Sequence, residues 1–140
     1  MAFAQPHFRL SEENVDDKTH VIVVSGEIHV STAPEFSRLL NDAIGEGKTQ
    51  VVLDLSGVEF IDSTGLSVLL NGLRRVTRCG GRMALVCTNP TVLRLFVITR
   101  LDSTFRIVRT RDEALAAVRD PATVPSSAAA SLRGAQDETT

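Results

Sequence analysis

The sequence predicts an α/β domain, a mixed and largely parallel sheet of four to five strands with about four helices packed against it. Three observations carry this reading. Short runs rich in β-branched residues alternate along the chain with segments whose apolar residues recur at helical spacing. The run Val51 to Leu55 is continuously apolar, as expected of a strand covered on both faces. Helix-start signals stand between the runs: Thr32 with Glu35, Asn89 with Pro90, and Thr110 with Glu113.

Taken in order, Phe8 to Leu10 is a first edge strand, and Ser11 to His20 is the polar turn after it. Val21 to Val24, stopped by Ser25-Gly26, pairs back as a hairpin. Thr32 and Glu35 then form a capping box with Pro34 in the first turn. The helix they open has the stripe Phe36, Leu39, Leu40, Ala43 and Ile44, and Gly45 and Gly47 end it in a left-handed cap. Val51 to Leu55 is the central strand, followed by a tight polar turn and a helix beginning with Asp62, Ser63, Thr64 and Gly65. Its stripe is Leu66, Leu69, Leu70, Leu73 and Val76.

Gly80-Gly81 stops that helix, and Arg82 to Cys87 gives another strand, buried from Met83 to Val86. Asn89-Pro90 starts a short helix in which Val92, Leu93, Leu95, Phe96 and Val97 predict burial on more than one side, with Arg94 and Arg100 as its charged edge. Phe105, Ile107 and Val108 predict a last strand, and the box Thr110–Glu113 opens a final helix through Val118. Residues 1–120 are thus read as one domain. From Pro121 the composition turns to Pro, Ala, Ser and Thr with almost no large apolar side chain, so 121–140 is expected to be a disordered tail.

Composition excludes several classes. With a net charge of −2 and 15 basic residues spread along 140, there is no electrostatic footprint for nucleic acid. No apolar run approaches the roughly 18 residues of a membrane span, and the first residues do not read as a signal peptide, so a cytoplasmic setting without membrane attachment is expected. Cys79 and Cys87 fall at opposite ends of one predicted strand, which places them too far apart for a disulfide. His7, His20 and His29 are scattered singly, and no P-loop, dinucleotide or zinc motif is present, so no cofactor or metal is expected.

The chemistry concentrates at Ile61-Asp62-Ser63-Thr64-Gly65. A strand delivering a serine to a helix start is a geometry shared by nucleophiles, caps and phosphate acceptors. A nucleophile elbow needs Gly-x-Ser-x-Gly, and the first glycine is missing. Asp62 alone is too weak a base to activate a hydroxyl. Ser63 is therefore read as the cap of the helix or its neighbour, held near unpaired N–H groups that favour a phosphate, and the chain as a non-enzyme.

Asp54-Leu-Ser-Gly-Val-Glu-Phe-Ile-Asp-Ser-Thr-Gly-Leu66 resembles the signature of the STAS domain family, specifically bacterial anti-sigma-factor antagonists. Gly26-Glu-Ile-His-Val-Ser-Thr-Ala33 resembles that family's Gly-Glu-Leu-Asp-x-x-Thr-Ala. Gly80 to Cys87, Pro90 to Phe96 and Asp112 to Leu115 resemble later parts, so the likeness covers residues 7–118. The resemblance implies a STAS-like sheet and a partner switch. The unphosphorylated antagonist binds a kinase-type anti-sigma factor and frees sigma. That kinase, using its own ATP and magnesium, phosphorylates the serine corresponding to Ser63, with Thr64 as the secondary candidate, and a PP2C-type phosphatase reverses the step. Glu27, His29, Asp62, Ser63, Thr64 and Gly65 fall at the partner-binding surface, Gly65 either by allowing close approach of a partner backbone or in a purely local backbone role. The family usually has an aspartate where His29 stands; histidine changes both charge and hydrogen bonding and can make the site pH-sensitive. The alternative is a ligand- or nucleotide-sensing STAS adaptor not regulated by phosphorylation.

Overall fold

The structure, a computed structural model, describes residues 8–119. Its element order matches the expected one: β1 (Arg9–Asn14), β2 (Thr19–Ile28), α1 (Ala33–Gly45), β3 (Gln50–Ile61), α2 (Ser63–Arg78), β4 (Arg82–Val86), α3 (Pro90–Ile98), β5 (Arg106–Val108) and α4 (Arg111–Arg119). The five strands lie in sheet order β1-β2-β3-β4-β5. β1 pairs antiparallel with β2, and every later pairing is parallel. The expected tail at 121–140 lies outside the described residues.

Strand alternation divides the core between the two faces. Ile22, Val24, Val51, Leu53, Leu55, Met83 and Leu85 point to one face, where α1, α2 and α3 cover them with Phe36, Leu40, Leu69, Val76, Val92 and Phe96. Val21, Val52, Ala84 and Val86 point to the other and meet Ala114, Ala117 and Val118 of α4. Each fully buried large aliphatic or aromatic side chain contributes about 1.5–3 kcal/mol. The small residues at this contact are Ala84 on β4 and Ala114 and Ala117 on α4.

Two strands run further than their sequence predicts. β2 continues through Ser25-Gly26 to Ile28, with Gly26 at φ 95°, and β3 continues through the presumed turn to Ile61. The physical reason lies in their pairing. The register shifts between Val23 and Ser25 and again between Gly26 and Glu27, so two bulges on β3 absorb residues that would otherwise break the ladder. β1 likewise extends into the polar run, because an antiparallel edge strand needs only its ladder and not an apolar face.

Three helix expectations need correction or refinement. Thr32 is the N-cap residue of α1 but makes no side-chain cap bond, since its hydroxyl is used inside the preceding loop; the expected capping box is absent there. By contrast the box at α4 forms, with Glu113 N–H donating to Thr110 Oγ1 at 3.1 Å and Thr110 N–H to Glu113 Oε1 at 3.2 Å. α3 is buried on one side only: Val92 and Phe96 are inside, while Val97 and Ile98 are 58% and 68% exposed. At the end of α1 it is Gly47, at φ 98°, that takes the left-handed turn, while Gly45 stays helical.

The β1–β2 connection is tied by Asp16, whose Oδ1 accepts from Lys18 N–H at 2.9 Å and Thr19 N–H at 2.8 Å. These two backbone donors, with lesser help from the Thr19 hydroxyl and Arg119, hold the carboxyl below its ordinary pKa. A depressed carboxylate adds stability above its unfolded pKa and loses it as pH falls through the folded one. The Tm gap between wild type and Asp16→Ala is therefore expected to be full at pH 7 and to narrow below about pH 4, read by circular dichroism. Cys87 is 1% exposed, and burial pushes its thiol pKa up, whereas Cys79 is exposed and both are free. One thiol, Cys79, should react with an alkylating reagent in the native protein and the second only in denaturant, as counted by mass spectrometry.

Candidate functional site

The site forms where β2 and β3 end together. Ile28 and Ile61 are paired, and Asp62 N–H donates to Ile28 C=O at 3.1 Å, so both strand-to-helix connections leave from one point on the sheet. This is the carboxyl edge of the parallel strands, where open α/β sheets place their binding residues.

The first connection is a tightly bonded loop. Thr32 Oγ1 donates to Glu27 C=O at 2.7 Å and accepts from His29 N–H at 2.9 Å, while His29 C=O accepts from Thr32 N–H at 3.0 Å and Ala33 N–H at 2.7 Å. Ser31 N–H donates to His29 Nδ1 at 3.2 Å. With Nδ1 acting as acceptor, the neutral ring carries its proton on Nε2, which stands 3.6 Å from Glu27 Oε1. Glu27 and Val30 project into solvent from the two ends of this loop, Val30 at 68% exposure.

The second connection is a helix start. Asp62, extended at φ −106° and ψ −172°, is the N-cap of α2: its Oδ1 accepts from Gly65 N–H at 3.0 Å and its carbonyl from Leu66 N–H at 3.0 Å. Ser63 is then the first helical residue, next to the cap. It is exposed, and among the described residues its hydroxyl has no hydrogen-bond partner, although its carbonyl accepts from Ser67 Oγ at 3.0 Å. The first turn holds no acidic side chain besides the cap, and among the described residues the N–H groups of Ser63 and Thr64 have no partner at the positive end of the helix dipole. Thr64 is half-buried.

Gly65 has a local packing role, one of its two expected alternatives. It is buried, and a Cβ there would stand 2.6 Å from Ile61 Cγ1 and 2.8 Å from Ile28 Cγ2. Its missing side chain lets α2 sit on the ends of β2 and β3, an inward, local role. The fold thus brings Glu27, His29, Asp62, Ser63 and Thr64 to one edge, with Gly65 beneath them. Among the described residues no base contacts Ser63 Oγ, and Asp62 Oδ1 is engaged by a backbone amide. Among the described residues no group of His, Cys, Asp and Glu is placed to hold a metal ion.

Phe60 was absent from the sequence reading of the site. It is 46% exposed and lies with Ile61 on a groove of about 270 Å³ completed by α3. The signal in the sequence is a large aromatic inside a segment that otherwise reads as a polar turn.

The STAS domain model matches residues 12–114. The chain belongs to the STAS domain family. Among its relatives is the anti-sigma-F factor antagonist RsfB of Mycobacterium tuberculosis, 30% identical over 99 residues, which span 71% of this chain and 80% of RsfB. The crystal structure of an anti-sigma factor antagonist from Mycobacterium paratuberculosis superposes with a TM-score of 0.73 at 33% identity, over 83% of this chain and 98% of that one. The Bacillus cell fate determinant SpoIIAA in its phosphorylated form gives 0.64 at 25% identity, over 79% and 100%. The five-stranded mixed sheet with four helices is the STAS fold.

Because Gly65 fixes how α2 meets the sheet, Gly65→Ala should overpack Ile61 and Ile28. Urea unfolding is expected to show a loss of about 1–3 kcal/mol.

Proposed function

We propose that this STAS domain is an anti-sigma-factor antagonist working by a partner switch. It binds a kinase-type anti-sigma factor when Ser63 is free and leaves it when Ser63 is phosphorylated. The observation that carries this reading is Ser63 itself, an exposed hydroxyl with no internal partner at the first position of a helix, on an edge shared with Glu27, Val30 and Phe60. The antagonist names of its relatives and the phosphorylated form of SpoIIAA support the same reading.

The physics of the switch follows from that position. A phosphate adds about −1.5 to −2 charges. The free N–H groups and dipole of α2 accommodate it, so the domain stays folded. Buried against a partner and beside Asp62, the same dianion meets like-charge repulsion and the cost of desolvation. Binding weakens while the antagonist remains intact for reuse. The kinase supplies ATP and magnesium, a PP2C-type phosphatase restores the hydroxyl, and the exchange takes place in the cytoplasm. Among the described residues no helix is long and apolar enough to cross a membrane. Thr64, half-buried one residue further along, is the weaker acceptor.

Titration calorimetry with a purified kinase-fold anti-sigma factor tests this. Wild type and Ser63→Ala should bind alike, and Ser63→Glu should bind roughly a hundredfold more weakly, about 2.7 kcal/mol. ATP and magnesium should dissociate the wild-type complex and leave the Ser63→Ala complex intact, with mass spectrometry placing the phosphate on Ser63. Label on Thr64 alone, or equal affinity of all three proteins, would overturn the assignment. Stabilisation of the isolated chain by nucleotide would instead favour the ligand-sensing adaptor.

A further inference from the structure

β3 has a neighbour on each side only as far as Asp54. β4 pairs with it from Gln50 with Arg82 to Asp54 with Val86 and then ends, whereas β3 continues to Ile61 against β2 alone. This overhang delivers Asp62 and Ser63 to the rim. It begins with a bulge: Val23 faces Asp54 but Ser25 faces Gly57, so a step of three residues on β3 matches a step of two on β2. A bulge takes a backbone group out of the ladder, and that group finds its partner elsewhere.

Asp54 is that partner. Its Oδ1 accepts from Ser56 N–H at 3.1 Å and from Ser56 Oγ at 2.7 Å. Its Oδ2 stands 3.4 Å from Arg111 Nη2 at the start of α4, and Arg111 Nη1 reaches Glu13 Oε2 at 2.6 Å. The carboxylate is buried in a row whose neighbours on the adjoining strands are Val23 and Val86. A third apolar side chain would suit that row at less cost in desolvation. What the carboxylate adds is the closed bulge. Beyond it the path of β3 is held close: a Cβ on Gly57 would stand 2.7 Å from Ser25 Cβ, and Asn89 Nδ2 donates to Val58 C=O at 3.2 Å on the side that β4 has left. The overhang takes its direction at Ser56 and keeps it to Ile61.

Resting on the partner switch above, we propose that Asp54 is a positioning residue for the phosphorylation of Ser63. It stands on the α4 side of the sheet, far along β3 from the serine, and acts through the bulge, which sets the angle at which the overhang carries Ser63 past Glu27 and His29. Arg111 holds the carboxylate from behind, so α4 serves a site at the far end of the strand. In the transfer, Ser63 Oγ bonds the γ-phosphorus of the kinase's ATP as the bond to ADP breaks, and the hydroxyl proton leaves to a base of the kinase. Such a step needs the attacking oxygen in line, and a displacement of about 1 Å costs rate steeply.

The test measures phosphorylation by a purified kinase-type anti-sigma factor with ATP and magnesium, and amide chemical shifts of the isolated chain, at a temperature where circular dichroism shows each variant folded. Asp54→Ala should lower kcat about tenfold or more and move the amides of Gly26 to His29 and of Phe60 to Thr64. Asp54→Asn keeps an acceptor for Ser56 N–H and should stay within about threefold of wild type in kcat. Arg119→Ala, which cuts the ion pair of α4 with Asp16, should change neither readout. Arg111→Ala carries the test if Asp54→Ala does not fold, and should move the same rim amides by less. Wild-type kcat with shifts confined to the surroundings of Asp54 and Arg111 overturns the positioning role and leaves the switch standing. An Asp54→Asn as slow as Asp54→Ala, or an equal loss in Arg119→Ala, overturns it as well. A wild type that neither binds the anti-sigma factor nor is phosphorylated by it removes the switch, and the role of Asp54 with it.

Discussion

The pairing of β2 with β3 is the constraint on which the rest of this molecule depends. It is the longest pairing in the sheet, running from Thr19 with Gln50 to Ile28 with Ile61. It sets the centre of both cores, because Ile22, Leu53, Val21 and Val52 all belong to it. It also fixes where the chain leaves the sheet. Since the two strands end level, the His29 loop and the start of α2 emerge side by side, and Asp62 N–H closes the junction on Ile28 C=O. Gly65 then lowers α2 onto the same two isoleucines. The site is a consequence of how these strands stop.

Stability and recognition are spatially separated. Core residues are buried on both faces of the sheet, and α4 is tied to the far side by Arg111, which reaches Glu13 Oε2 at 2.6 Å and Asp54 Oδ2 at 3.4 Å, and by Arg119 with Asp16 at 3.3 Å. These partly exposed pairs position the helix and add little stability of their own. On the proposed binding edge the exposed groups, Glu27, Val30, Phe60 and Ser63, carry little of the core. Changes there can alter affinity without unfolding the chain, which a reversible charge switch requires.

The fold was legible because periodicity and cap chemistry act locally. The central strand from Val51, the stripe of α2 and the box Thr110–Glu113 each follow from neighbours in sequence, and each is present. What could not be read depends on long-range partners. In the latter half of β3, Leu55, Val58 and Ile61 are buried at intervals of three, a spacing that is not strand-like until two bulges against β2 are known. Ser56-Gly57 and Glu59-Phe60 between them therefore read as a turn. Thr32 makes no side-chain cap bond because its hydroxyl oxygen accepts from His29 N–H while its O–H donates to Glu27 C=O within the preceding loop. On α3, apolar density implied burial, yet density does not reveal how much neighbouring structure exists to cover it. At the site, the serine, its cap and His29 were all identifiable; the inward role of Gly65 and the exposure of Phe60 needed coordinates.

The two bulges have a consequence for how such a site can diverge. From Val23 to Ile28 the chain advances five residues on β2, while from Asp54 to Ile61 it advances seven on β3. The surplus works as a vernier between core and rim. Removing or adding one bulged residue would slide Phe60, Asp62 and Ser63 past Glu27 and His29 by a single step, leaving the paired strands below Val23 in place. Relatives could thus present different side chains opposite the same serine through a one-residue change in β3, without rebuilding either connecting loop.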